Sequence, residues 1–334
     1  MPRHKRLDIP GGIYHVIARG IERREIFRND NDRKEFLRRL AKAITHSGIK
    51  CYGWTLMPNH FHILLRTGTK PLSDTMRKVL TGYAIYFNRK YKRTGYLYQN
   101  RYKSILCQEE AYLLELVRYI HLNPLRAKIV EDMDGLNTYP WSGHRILLGN
   151  ANAEFQTTGE ILERFGQNRH NAIKKYLAFI EEAKDMGRRE DLTGGGLRRS
   201  AGGWQGVEAL KRSRDYWRGD ERVLGDGDFV NQVLKISEEE MMKKERLKKA
   251  GWDIGQVVKR VCKLMGLSEK DIQKRGRENT VSRARALVAY WSHIELGISG
   301  IEISVYFGIA RPSVSEAILR GKKIANENGY HLIN

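Results

Sequence analysis

Two histidines, His60 and His62, are separated by one residue inside the otherwise apolar run MPNHFHILL at 57–65. The run predicts a β-strand, and successive side chains of a strand point to opposite faces of a sheet. Both imidazoles therefore lie on one face, while the apolar neighbours supply the core on the other. Two imidazoles at this separation can ligate one divalent metal. The alternative is a pair of hydrogen-bonded histidines on a half-buried surface.

A second candidate group lies in RYIHLNPLRAKIV, where Tyr119 and Asn123 are four residues apart. On a helix this spacing places both side chains on one face. A nucleophilic hydroxyl and a third metal ligand could then be presented together. The alternative is a core tyrosine, with Asn123 capping the helix end before Pro124. Periodicity does not choose between Tyr119 and the other candidate nucleophiles, which are Tyr83, Tyr86, Tyr96 and Tyr112.

Short β-rich and helical segments alternate over residues 11–145. The patterns predict strands at 11–19, 49–56 and 60–67, a hairpin at 96–107, and helices at 32–47, 71–93 and 109–122. Pro124 is expected to end the last of these helices. This order predicts an α+β fold with a small, ferredoxin-like antiparallel sheet and helices on one face. The other face would be free to hold the site.

The rest of the chain divides into two parts. Signals are weak over 146–235, apart from a helix expected near 170–186 and a glycine-rich hinge or irregular loop at 192–204. From residue 237 the pattern becomes strongly helical. The predicted domains are 1–145, a connector of unknown role at 146–235, and an all-α domain at 236–334.

The net charge of +21 and pI of about 9.9 favour nucleic acid or an anionic membrane as partner. No apolar run reaches the ~20 residues of a membrane span, and the basic start lacks an apolar signal segment. A soluble, cytoplasmic protein without a membrane partner is therefore expected. The three cysteines are scattered and lack CxxC spacing, which argues against disulfides and structural zinc.

Basic and aromatic residues are interleaved over 70–103, where Asp74 is the one acidic residue. Cations can follow a phosphate backbone while aromatic rings stack on unpaired bases, so single-stranded DNA is the expected ligand. For Tyr83, Phe87 and Tyr91, a buried aromatic stripe is the favoured interpretation. The basic residues of this segment are Lys70, Arg77, Lys78, Arg89, Lys90, Lys92, Arg93, Arg101 and Lys103.

Three motifs, MPNHFHILL, GYLYQNRYKS and RYIHLNPLRAKIV, together resemble the single-tyrosine HUH transposases, in particular the REP-associated tyrosine transposases. The resemblance covers roughly residues 5–145. It implies that His60, His62 and Asn123 bind Mg²⁺ or Mn²⁺ and that Tyr119 is the nucleophile. The implied activity is cleavage and rejoining of hairpin-flanked single strands through a 5′-phosphotyrosine.

Two other functions compete with this interpretation. A non-catalytic DNA-binding regulator could keep the fold without the reaction, but the intact histidine, tyrosine and asparagine positions speak against it. A two-histidine metal hydrolase would need carboxylate ligands or a general base near the pair, and none adjoins it in sequence. A monomer is expected, because residues 1–145 show no exposed apolar helix for a large interface.

Residues 253–325 resemble the duplex-DNA-binding domain of the replication initiator DnaA. A helix-turn-helix is expected with Gly308 in the turn and Pro312 at the start of the recognition helix. Its sequence FGIARPSVS departs from the initiator pattern, so the base preference of that family is not carried over. Val314, Ala317 and Ile318 are expected to face inward. The residues expected to reach a major groove are Arg311, Ser313, Glu316 and Arg320, and those expected to contact phosphate are Lys274, Arg275, Arg277, Arg283 and Arg285.

Overall fold

A computed structural model of the protein describes residues 7–68, 71–187, 189, 192, 220, 222–273 and 279–333. The chain forms two compact units, Met1–Gln232 and Val233–Asn334. The glycine-rich segment 193–204 and the predicted DNA contacts Lys70, Lys274, Arg275 and Arg277 lie outside the described residues. Within the described residues, no helix is long and apolar enough to cross a membrane.

The first unit is built on a five-stranded sheet in the order β2-β3-β1-β4-β5. Neighbouring strands are antiparallel except for the two-residue β5, which pairs parallel to β4, so the sheet is mixed. The expected α+β class is confirmed. The strands are β1 (Ile13–Arg19), β2 (Lys50–Met57), β3 (His60–Arg66), β4 (Lys103–Cys107) and β5 (Val223–Leu224).

Helices cover both faces of this sheet, and the expectation of one open face was wrong. On one face Phe61 of β3 packs on Phe36 of α1 (Asp30–Ser47), with ring centroids 4.9 Å apart. On the other face, α3 (Glu109–His121) packs against β1, β2 and β3. The physical reason is that β2 and β3 are buried on both faces over most of their length, so each face needs an apolar cover.

The predicted hairpin at 96–107 was also wrong, because only its second half is a strand, β4. The first half follows α2 (Leu72–Lys90) and pairs with the end of β1 instead. Tyr98 forms an isolated bridge with Gly20, and the Gln99 amide donates to the Arg19 carbonyl at 2.9 Å.

The predicted helix at 109–122, which carries Tyr119, is confirmed to within one residue, and it ends before Asn123. α3 stops at His121, and a new one-turn helix, α4 (Asn123–Arg126), begins with Pro124 in its first turn. A proline is tolerated there because its missing N–H would have no helical partner. Asn123 therefore belongs to a different helix from Tyr119.

Residues 133–181 add four α-helices and one short 3-10 helix to the α3 side of the sheet. Their apolar side chains share one buried cluster with α3, which includes Tyr119, Leu147 and Tyr176. As far as it is described, the chain from 146 to 232 is thus part of the first unit. The helices are α5 (Met133–Thr138), α6 (His144–Leu147), α7 (Gly159–Leu162) and α8 (Arg169–Glu181).

The second unit is helical, and its helices α13 (Gly300–Phe307) and α14 (Arg311–Asn328) are joined at Gly308, which has φ +59°. Ser299 and Glu302 form a capping box at the start of α13, and Pro312 lies in the first turn of α14. The late helices are α9 (Gly227–Lys249), α10 (Ile254–Met265), α11 (Glu269–Gln273), α12 (Asn279–Ile294), α13 (Gly300–Phe307) and α14 (Arg311–Asn328).

Candidate functional site

The α3-facing side of the sheet carries three histidines rather than two. His62 lies opposite Ile17 in the register of β1 and β3, and His60 lies opposite Arg19. His15, two residues before Ile17, shares this face, and its Nε2 lies 2.8 Å from Nδ1 of His62. The ring centroids of His60 and His62 are 5.2 Å apart. The sequence pattern predicted that His60 and His62 lie together. His15 lies beside them only because β1 pairs with β3.

The hydrogen bonds of the histidine pair leave one nitrogen of each ring suited to a metal. Nδ1 of His60 lies 2.6 Å from Oδ1 of Asn59, an acceptor, so Nδ1 carries the proton and Nε2 keeps its lone pair. Nδ1 of His62 faces Nε2 of His15, and when Nδ1 donates, Nε2 of His62 is likewise the free base. This is how metal-binding histidines are commonly oriented by a second hydrogen bond.

Burial keeps these imidazoles neutral. Burial, aided by the charge of Arg19, lowers the pKa of His60 to about 4. Burial lowers the pKa of His62 well below its usual value, and lowers that of His15 to about 3. A neutral imidazole can ligate a metal at pH 7 without first losing a proton. The pair therefore fits a divalent cation, although no group of three His, Cys, Asp or Glu with metal-site geometry occurs among the described residues.

Tyr119 lies directly against the histidines. Its ring packs edge-on against His62 with centroids 5.9 Å apart and against His15 at 6.0 Å. Of the rival tyrosines, Tyr83 is buried in the other face and donates to the Ile26 carbonyl, and Tyr86 donates to Asp32. Tyr96 is on the surface. The geometry thus brings Tyr119 to the histidine pair.

Asn123 is the first residue of α4, and its Nδ2 donates to the carbonyl of Tyr119 near the end of α3 at 2.9 Å. A second, longer bond of 3.4 Å reaches the Ile120 carbonyl. The amide therefore caps the helix that carries Tyr119. The role of Asn123 as a third metal ligand stays a prediction.

Arg126 is a neighbour of Tyr119 for which the sequence motif suggested no role. Its guanidinium carbon lies 5.4 Å from the centroid of the Tyr119 ring, and Nη1 donates to the Tyr119 carbonyl at 3.4 Å. Nε donates to the Met186 carbonyl at 3.2 Å, which ties the chain after α8 to this place. Burial lowers the pKa of Arg126, but an arginine stays charged. Because α3 ends at His121 and Arg126 lies on α4, sequence spacing did not predict this contact.

A polar network centred on the fully buried Tyr176, His121 and His144 connects α3 with the helices that follow it. The hydroxyl of Tyr176 on α8 is 2.8 Å from Nδ1 of His121 and 2.7 Å from Nδ1 of His144. Nε2 of His144 donates to Oδ1 of Asn137 at 2.9 Å. The network joins α3, α5, α6 and α8, and so fixes the helix that presents Tyr119.

The first part of the chain is similar to a known protein family. Residues 9–123 match the family described as Transposase IS200 like. The matched transposase-like region contains His15, His60, His62, Tyr119 and Asn123. The chain is also similar to a solved structure described as a REP-associated tyrosine transposase bound to a REP hairpin. That similarity has 16% identity, a TM-score of 0.38, and covers 48% of this chain and 92% of the other. No curated protein matched.

The basic residues of segment 70–103 that were predicted to bind DNA have different surroundings: some contact other side chains and others are exposed. Lys90 Nζ donates to the buried carboxylate of Asp32 at 2.6 Å, and Tyr91 donates to the same carboxylate at 2.7 Å. Arg93 lies 5.6 Å from the ring centroid of Phe87. Of these cations, Lys103 is close enough to the histidines for its charge to lower the pKa of His15. The structure does not bring the other described ones together with the histidines. The exposed members are Arg77, Lys78, Arg89, Lys90, Lys92, Arg101 and Lys103.

In the second unit, the predicted inward and outward faces of α14 are separated as expected. Val314 and Ala317 are buried and Ile318 is partly buried. Arg285 donates to the Ile272 carbonyl at 2.6 Å. The exposed candidates for DNA contact are Arg283, Arg311, Ser313, Glu316 and Arg320. Contact of these residues with duplex DNA stays a prediction.

Proposed function

We propose that the protein is a metal-dependent single-stranded DNA endonuclease and strand transferase that acts through a 5′-phosphotyrosine. The observation that carries the proposal is the packing of the Tyr119 ring against His62, within a region that matches IS200-like transposases. Hairpin-flanked repeats are the proposed substrate, as the resemblance of the motifs implies.

In the proposed reaction, the hydroxyl oxygen of Tyr119 attacks the scissile phosphorus as the phenol loses its proton. A bond forms between this oxygen and the 5′ phosphate, the bond to the 3′ oxygen breaks, and that oxygen leaves as a hydroxyl. A 3′-hydroxyl of another strand can reverse the attack, because the ester linkage is conserved in the phosphotyrosine. Rejoining therefore needs neither ATP nor water.

His60 and His62 would hold the metal, and Asn123 is the proposed third ligand. When bound, Mg²⁺ or Mn²⁺ neutralises negative charge on the scissile phosphate. The guanidinium of Arg126 supplies a fixed positive charge beside the Tyr119 ring, where negative charge develops on the phenol oxygen. The buried network at Tyr176 holds α3, so the ring is positioned before substrate arrives.

The second unit is proposed to bind duplex DNA through α14 and so to direct the enzyme to its target. The exposed polar residues at the start of α14, with buried apolar residues on the opposite face, support this proposal. Base edges in a major groove are commonly read by the N-terminal residues of such a helix.

The proposal is tested by covalent capture. With Mg²⁺ and a hairpin-flanked single strand, the wild-type protein should form a DNA adduct in a denaturing gel, and Tyr119→Phe should form none. Phenylalanine keeps the ring that packs on His62, so the fold and DNA binding should be retained. Tyr98→Phe and Tyr112→Phe are matched controls that should still form the adduct.

Peptide mapping of the trapped adduct separates the competing functions. DNA on a peptide without Tyr119 would refute the proposed mechanism. Tight binding of single strands with neither adduct nor cleavage would favour a non-catalytic regulator, and cleavage by Tyr119→Phe would favour a hydrolase that uses water.

A further inference from the structure

The segment between α2 and β4 presents a single large aromatic ring to solvent. Tyr96 is 84% exposed, whereas Leu97 and Tyr102 in the same segment are buried. An aromatic ring has much apolar surface, and leaving it in water forgoes the stabilisation that burial provides. Its exposure is therefore a feature to be explained.

The backbone on each side of Tyr96 is held in place. Gly95 has φ +84°, and its carbonyl accepts a hydrogen bond from Nδ2 of Asn88 at 2.8 Å. The carbonyl of Leu97 accepts from the Ile21 amide at 3.0 Å. The ring is thus carried by ordered backbone, which reduces the conformational entropy that a contact would cost.

The same segment lies beside the end of the sheet where the histidine pair begins. Tyr98 bridges Gly20 on one side of β1, and on the other side the Gly20 amide donates to the Asn59 carbonyl at 2.8 Å. Asn59 directly precedes His60. Two strand spacings amount to ~10 Å, so the backbone at Tyr98 and the backbone at His60 are separated by about this distance.

The charged residues on either side of Tyr96 in the sequence are all cations, which favours a polyanion. No aspartate or glutamate occurs between Asp74 and Glu109, whereas Lys92 and Arg101 are exposed. Arg19, at the end of β1 and opposite His60, is also exposed and makes no ion pair with a described residue. Exposed cations with an exposed ring are the combination that binds single-stranded nucleic acid, because an unpaired base offers a face for stacking.

We propose that Tyr96 stacks on one unpaired base near the scissile phosphate and so sets which phosphate reaches Tyr119. The inference rests on the proposed function, since it assigns a substrate contact to the same site. Tyr96 would be a positioning residue, a role that is not assigned to the proposed metal ligands or to the nucleophile.

The first measurement is affinity for a hairpin-flanked single strand in a Tyr119→Phe background, where no cleavage disturbs the equilibrium. Tyr96→Ala should raise Kd by about 5- to 150-fold, the equivalent of ~1–3 kcal/mol per stacked base. Tyr96→Phe and Tyr96→Trp should bind within about threefold of the parent, because the aromatic face is retained. Ile85→Ala, which also truncates an exposed apolar side chain, is the matched control and should leave Kd unchanged.

The second measurement scans the strand with single abasic sites. An abasic site at one position should weaken binding to the parent protein. The same abasic site should not weaken binding to Tyr96→Ala any further, because that variant already lacks the stacking contact. In a protein with Tyr119 restored, Tyr96→Ala should also spread the adduct over neighbouring phosphates.

The outcomes distinguish this inference from the proposed function. Adduct formation at Tyr119 without coupling at any abasic position would overturn the stacking role alone. Equal losses with Tyr96→Ala and Tyr96→Phe would overturn it too, because they would assign the contact to the hydroxyl. Coupling at one position without any adduct would support stacking while refuting the proposed reaction.

Discussion

Tyr176→Phe removes one hydroxyl group from the buried network behind α3 and should destabilise that side of the first unit. Tyr176, His121 and His144 are all fully buried. Burial lowers the pKa of His144 to about 4 and that of His121 well below its usual value, so both rings are neutral at pH 7. A neutral imidazole has one donor and one acceptor. His144 donates to Asn137 through Nε2, so its Nδ1 accepts from Tyr176.

The hydroxyl of Tyr176 must then accept from Nδ1 of His121. Phenylalanine leaves one buried acceptor and one buried donor without a partner. Each such loss costs ~1–3 kcal/mol, so the opening free energy of α3 should fall by about 2–6 kcal/mol. Tyr139→Phe is the matched control, because its buried hydroxyl makes one bond, to the Leu56 carbonyl at 2.9 Å, and its loss should cost about half as much.

Hydrogen exchange measured by mass spectrometry on peptides from α3 and α8 gives the local opening free energy even though the protein has two units. Exchange in these peptides should accelerate by about 30-fold or more in Tyr176→Phe, since each 1.4 kcal/mol is a factor of ten. An unchanged exchange rate in α3, or a rate equal to that of the Tyr139→Phe control, would refute the assignment of protons in this network.

Three further predictions follow from other parts of the molecule. His60→Ala should bind single-stranded DNA but form no adduct with Mg²⁺, and wild-type adduct formation should stop in EDTA; undiminished adduct in EDTA would contradict the metal site. Burial raises the pKa of Asp32, but hydrogen bonds, of which that from Lys90 is the strongest, outweigh burial, and the pKa is lowered in the folded protein. The Asp32 carboxylate therefore stabilises the fold above the ordinary carboxyl pKa. This stabilisation is lost as the pH falls through the folded-state pKa. Asp32→Asn should therefore cost about 2–3 kcal/mol at pH 7 and flatten the acid limb of a urea-unfolding series. Arg311→Ala with Arg320→Ala should weaken binding to a preferred duplex and relax its sequence preference while leaving the single-strand adduct unchanged; an unchanged sequence preference would exclude base contact by these two residues.

The strands and the histidine pair could be predicted because they depend on local patterns. Alternation placed His60 and His62 on one face, and the structure has a strand at His60–Arg66. His15 could not be predicted, because its place depends on which strand pairs with β3, and this is decided by packing of distant segments. The failed hairpin has the same cause, since the segment at Tyr98 finds its partner at Gly20 rather than in the adjoining strand.

The relation between Tyr119 and Asn123 shows a second limit of periodicity. A spacing of four predicts a shared face only while the helix continues, and α3 ends at His121. The cap formed by Asn123 was the alternative that its position before Pro124 allowed. The buried partners His144 and Tyr176 came from a region with weak signals, because hydrogen bonds between distant buried residues leave no periodic pattern.

Gly321 bears on how the helix proposed to bind duplex DNA could be altered. A Cβ atom at this position would lie 1.9 Å from the carbonyl oxygen of Ala286, so α14 approaches the backbone of α12 too closely for any other residue. The closeness fixes the depth and rotation of α14 by backbone contact, while Arg311, Ser313 and Arg320 remain on its exposed side. The residues at those three positions can therefore be substituted together without changing how α14 packs on α12. A library for selection experiments on the proposed DNA-binding face of α14 should therefore exclude position 321.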